Sequence, residues 1–171
     1  NNHIQKIANK NYGTSGLKHG ETTYYEGDLV IQTVNNYKAK IYIDDEWCFD
    51  KDEESETFIA NGEIGRISQI GMHYMIIDFD GVKIKYSRDD LQGIKLGYSI
   101  SIHRSQGSSI KVVILLTPQA HTFMLNSNII YVGLTRMKER CFHLGNPDTV
   151  NIAIKKKENF NRMTFMKELL K

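Results

Sequence analysis

The chain has 171 residues, 40% of them hydrophobic and 25% charged, which suits one ordinary globular domain with or without a small insertion and excludes a disordered chain. Its net charge of +2 is too small to identify a polyanion-binding protein and does not oppose one, because local clustering decides phosphate binding. Cys48 and Cys141 stand far apart with no C-x-x-C pair. A zinc site and a disulfide framework are therefore not expected, and a reducing, cytoplasmic setting is. No apolar run approaches ~18 residues, so no membrane partner is expected.

The first residues have no initiator Met and no apolar signal region, and Ile4, Ile7 and Ala8 already show helical spacing. A piece cut from a longer protein is the expectation. Asp28 to Val34 predicts a strand after the turn pair Glu26-Gly27. Residues 38–57 gather Asp44, Asp45, Glu46, Asp50, Asp52, Glu53, Glu54 and Glu56, and predict a solvated acidic loop or hairpin. Short β-like runs follow over 58–94, with Asp80-Gly81 a strong hairpin signal. They predict a small inserted barrel. Beyond Leu96 the pattern becomes α/β. Val112 to Leu116 suits a strand buried on both faces, Phe123 to Met137 a helix, and Arg140 to Leu144 a second buried strand. Closing helices are expected near Asp148–Lys155 and Asn159–Leu170.

Two segments concentrate chemistry. Gly97-Tyr98-Ser99-Ile100-Ser101-Ile102-His103-Arg104-Ser105-Gln106-Gly107-Ser108 sets hydroxyls, an imidazole, a guanidinium and a glycine just before a buried strand. Such groups suit phosphate oxygens, and glycine admits close backbone approach. A polar helix end with a glycine cap would look the same. The second is Asn128-Ile129-Ile130-Tyr131-Val132-Gly133-Leu134-Thr135-Arg136-Met137-Lys138. Arg136 at a helix C-terminus either offsets the helix dipole or reaches a phosphate with its planar fork.

Taken in order, His-Arg-Ser-Gln-Gly-Ser before an apolar strand and Tyr-Val-Gly-Leu-Thr-Arg on the next helix resemble motifs V and VI of superfamily 1 DNA helicases. The RecD-like branch (exodeoxyribonuclease V alpha-chain type, with a UvrD-like C-terminal domain) is the most similar. Gly27 to Tyr37 resembles the segment before that group's inserted barrel. Asn61-Gly62-Glu63-Ile64-Gly65 and Asp78-Phe79-Asp80-Gly81 resemble the barrel, and Asn161-Arg162-Met163-Thr164 the terminal helix. The resemblance implies an α/β fold: a partial second RecA-like domain (1–37 and 95–171), an acidic loop (38–57) and an inserted Src-homology-type β-barrel (58–94).

It also implies ATP-driven translocation and duplex unwinding in the full-length protein. Arg136 would be catalytic at the γ-phosphate. Gly107, Ser108 and Ser109 would lie at the nucleotide, and Ser101, His103, Arg104, Asn35 and Asn36 would face single-stranded DNA. Where the family commonly has a Glu touching the ribose, this sequence has Ser109. The implied partners are single-stranded DNA, the first RecA-like domain of the same polypeptide, and other repair or recombination subunits.

No G-x-x-x-x-G-K-[ST] phosphate loop occurs; Gly13 to Lys18 lacks its Gly-Lys-Ser/Thr end. Ile41 to Glu46 imitates a strand ending in magnesium-binding carboxylates, but falls inside the acidic run. ATP and Mg²⁺ therefore belong to the full-length protein, and this chain alone is expected to bind neither and to be inactive. His3, His19, His73, His121 and His143 share no metal-ligand spacing. Core packing is expected of Tyr98 and Tyr131. Two rival functions use fewer of these residues. One is a non-catalytic nucleic-acid-binding module built on the barrel and the Lys155–Lys157 run, and the other a protein-docking module.

Overall fold

The computed structural model describes residues 1–43, 55–106 and 108–156. They divide into two compact units, 1–108 and 109–171. The centre of the acidic run, the Glu46 end of the carboxylate-like strand, Gly107, Lys157 and the expected last helix lie outside the described residues.

The first unit opens with α1 (Asn2–Ala8) and a two-stranded hairpin of β1 (Leu17–His19) and β2 (Thr22–Tyr24). Its body is a curled antiparallel sheet. The strands are β3 (Leu29–Gln32), β4 (Asn36–Ile41), β5 (Glu56–Ile59), β6 (Ile64–Ile70), β7 (Tyr74–Phe79), β8 (Val82–Ser87) and β9 (Ile94–Leu96). Their order is β5-β4-β8-β7-β6-β3-β9. Alternating side chains (Val30, Ile67, Met75, Ile77, Ile84, Tyr86 and Leu96 among them) turn inward to one core. The Asp80-Gly81 hairpin forms as expected. Asp80 has φ 53° and Gly81 φ 98°, the paired positive values of the tight turn that matches strand twist.

The sheet is broader than the sequence led one to expect. β3, expected to lie with the α/β part, pairs within it, and so do β4 and β5, whose residues 38–41 and 56–57 were expected to belong to a solvated acidic loop or hairpin. Their β-branched and small residues alternate into the same core, which outweighs the charge around them. A second difference concerns α1. Its spacing suggested an apolar face of Ile4, Ile7 and Ala8, yet Gln5 and Asn9 are the buried positions and Ile7 is 84% exposed. The reason is a buried acid. Asp28, fully enclosed, accepts bonds from the side-chain amides of Gln5 and Asn9, the Tyr25 N–H and the Tyr98 hydroxyl. A buried carboxylate needs such donors, and only polar residues can bring them.

The second unit is a strand–helix–strand unit. β10 (Ile110–Thr117) and β11 (Met137–Gly145) run parallel, Val112 opposite Arg140 and Leu116 opposite Leu144. Between them lies α2 (Ser127–Leu134), capped by the Asn126 side chain accepting from Ile129 N–H at 2.9 Å. α3 (Pro147–Lys155) follows, with Asn146 as cap and Pro147 in its first turn. Leu125, Ile130 and Ala153 form the small core.

Here the expectation of strands buried on both faces fails for the described residues. Ile114, Leu116, Phe142 and Leu144 are each more than half exposed, and they share one side of the pair. Cys141, expected to be buried, is intermediate. Tyr131 stands 68% exposed rather than in the core, because Ile130 and Gly133 are the α2 positions that turn inward.

Candidate nucleotide and nucleic-acid site

In the first unit, residues 101–106 form neither helix nor strand but successive tight turns. The Arg104 N–H donates to the Ser101 carbonyl at 3.0 Å, and the Ser105 N–H reaches the carbonyls of Ser101 and Ile102. The Ser105 hydroxyl donates to Ile102 O and the Ser108 hydroxyl to Ser105 O, both at 2.7 Å. These bonds occupy the buried hydroxyl and leave Ser101, His103 and Arg104 on the outside, all exposed.

Immediately upstream, Tyr98 is anchored through Asp28 at 2.9 Å. Its hydroxyl is pushed up to about 12 by burial first and then by the Asp28 carboxylate. The neighbouring Ser99 backbone exchanges two bonds with the Asn1 side chain, at 2.9 and 2.8 Å. Two anchors therefore fix the chain just before the exposed turns.

The β3–β4 turn reaches the same place. The Asn35 side-chain oxygen Oδ1 accepts from Asn61 N–H at 2.8 Å, while its side-chain Nδ2 donates to the Tyr37 hydroxyl at 3.1 Å. Asn61 begins the β5–β6 turn, whose Gly62 (φ 98°) lies against the other segment. A Cβ there would stand 3.0 Å from the Arg104 carbonyl oxygen and 3.3 Å from that of Gln106. Asn35, Asn61, Gly62 and the Arg104 turn are thus contiguous. Asn36, half-buried, turns its oxygen to Lys38 N–H and holds the strand rather than facing out.

In the second unit, Arg136 follows the last turn of α2. Its Nε donates to the Val132 carbonyl at 3.3 Å and one Nη to the Thr135 hydroxyl at 3.2 Å, so the guanidinium is half-buried against the helix end. The Arg136 carbonyl accepts from Ile110 N–H at 2.9 Å. This lays exposed Ser109 and Arg136 at the same end of the parallel pair. Gly107 lies outside the described residues. Sequence reasoning missed Tyr37 and Phe58, whose rings meet at 5.1 Å on the surface of the first unit.

Against known proteins, residues 96–142 match the UvrD-like helicase C-terminal domain family. An ATP-dependent RecD2 DNA helicase of Deinococcus radiodurans is 30% identical over 90% of this chain and 19% of its own length. The RecBCD enzyme subunit RecD of Mycobacterium tuberculosis is 24% identical over 78% of this chain and 20% of its own. An uncharacterised protein of Methanocaldococcus jannaschii is 29% identical over 67% of this chain. The chain spans about a fifth of the length of the RecD2 and RecD relatives.

These matches first define a helicase C-terminal domain. More particularly, with relatives aligned over most of its length, the chain is a RecD-like helicase C-terminal fragment.

Proposed function

We propose that this chain supplies motifs V and VI to an ATP-driven helicase that translocates on single-stranded DNA and unwinds duplex. The observation that carries this is the family match over 96–142, which encloses both the Ser101–Gln106 turns and the Thr135-Arg136 pair. In this role Arg136 contacts the γ-phosphate. Gly107, Ser108 and Ser109 border the nucleotide, and Ser101, His103, Arg104 and Asn35 face the strand, with Asn36 behind them. The second unit is part of a RecA-like domain and the curled sheet a Src-homology-type barrel. A parallel strand–helix–strand unit with one bare apolar face supports the former, since parallel sheets are stable with both faces covered.

Bound ATP supplies the phosphoryl group that is cleaved. Arg136 fits it: a half-buried planar fork at a helix end can leave its Thr135 contact and donate two charge-assisted bonds where negative charge builds. The phosphate loop and the Mg²⁺ carboxylates belong elsewhere in the polypeptide, because no sequence here has the form of the loop. DNA, the first RecA-like domain and further repair subunits are the partners this role requires.

The test is full-length Arg136→Ala, assayed for folding, DNA affinity and DNA-stimulated ATPase. Arginine fingers are worth roughly 10³–10⁵ in rate, and a loss near the lower end is expected. DNA affinity without nucleotide should be unchanged. A folded variant with normal ATPase returns Arg136 to helix capping.

A further inference from the structure

Two large aromatic rings stand out on the first unit: Tyr37 is 71% exposed and Phe58 48% exposed, with centroids 5.1 Å apart and planes 31° from parallel. Single exposed aromatics are ordinary, but a held pair is not. The pair is built. The register between β4 and β5 slips between Asn36 and Ala39, and such a bulge re-aims a side chain. The Asn35 amide then fixes the Tyr37 hydroxyl at 3.1 Å. Through Asn35, Asn61 and Gly62 the pair is continuous with the turn bearing Arg104, and exposed Lys38 is its immediate neighbour.

We infer that Tyr37 and Phe58 form a stacking platform for the bases of single-stranded nucleic acid, with Lys38 and Arg104 meeting the phosphates beside it. The inference rests on the proposed DNA-facing role of the Arg104 turn and extends it onto the sheet. Every base has a π-face, so the platform is indifferent to sequence. Cations flanking exposed rings are the complement of a polyanion with unstacked bases.

Full-length protein is titrated with an oligothymidylate and with an abasic strand of equal length. Wild type should prefer the strand with bases. The Tyr37→Ala/Phe58→Ala double variant should bind oligothymidylate about tenfold more weakly, the loss of a stacked base, and the abasic strand as wild type does. Tyr37→Phe should keep the preference. Strands carrying 5-iodouracil should photocrosslink to Tyr37 or Phe58.

Equal binding of both strands by wild type and double variant, with crosslinks mapping only elsewhere, overturns the platform and leaves the helicase role standing. Failure of wild type to bind either strand at low salt removes both. Because both side chains are exposed, the double variant keeps the core intact, and its unchanged abasic binding verifies that.

Discussion

Tyr98 illustrates how one side chain reports on the region it anchors. Its hydroxyl donates to buried Asp28, and its pKa is raised from 10.0 to about 12, by burial and then by that carboxylate. Tyr24 and Tyr86 are raised to about 12 as well, each chiefly by burial. All three ionise more easily unfolded than folded. Their contribution to stability is complete below pH 10 and is lost as pH rises toward 12. Denaturation midpoints should therefore hold steady to about pH 9 and fall steeply above 10, and Tyr98→Phe should make that fall shallower.

The place of Arg136 at a helix end was legible in the sequence. Asp28 was not. A lone acid between a turn and an apolar strand looks like any surface carboxylate, and its four donors come from residues up to 70 positions away.

Among the elements, the β5–β6 turn has the most to do with the segment proposed to face DNA. Gly62 adopts φ 98°, a region that costs other residues roughly 1–3 kcal/mol, and its missing side chain makes room for the Arg104 carbonyl. Gly62→Ala should destabilise the first unit by about that amount in urea titrations and weaken single-strand binding at the same time. Stability loss with unaltered DNA affinity would detach the Arg104 turn from DNA.

Sequence periodicity located β3, β6, β7, β8, β10 and β11, because alternation or an apolar run is a local signal, and it passed over the short β1, β2 and β9. It misjudged which sheet β3 enters, since pairing partners lie far apart in sequence, and it chose the wrong face of α1, since a buried carboxylate overrode the apolar spacing. The bare side of β10 and β11 was unreadable for another reason. An apolar run shows only that a strand wants covering, not what covers it.

For the molecule as a whole, the division into two units separates the two proposed chemistries. The first carries the exposed Ser101–Arg104 turn and the aromatic pair, the second Arg136 and the parallel strands. Alone, the 171 residues should show no ATP turnover. They should bind single strands weakly and in a salt-sensitive way, because phosphate contacts release counterions. A fluorescence titration at low and moderate salt checks this, and tight binding indifferent to salt would contradict it. Among the described residues no helix is long and apolar enough to cross a membrane.

The Asp28 node also carries a consequence for kinetics. It ties residues 5, 9, 25 and 98 together, so its bonds close only after chain segments distant in sequence have met. Contacts of that kind tend to form after the rate-limiting step, and then a substitution speeds unfolding and leaves refolding nearly alone. In stopped-flow denaturant jumps, Asp28→Asn should raise the unfolding arm of the chevron and barely move the folding arm. The node would then act as a latch on the finished first unit, setting how long it stays closed rather than how fast it assembles.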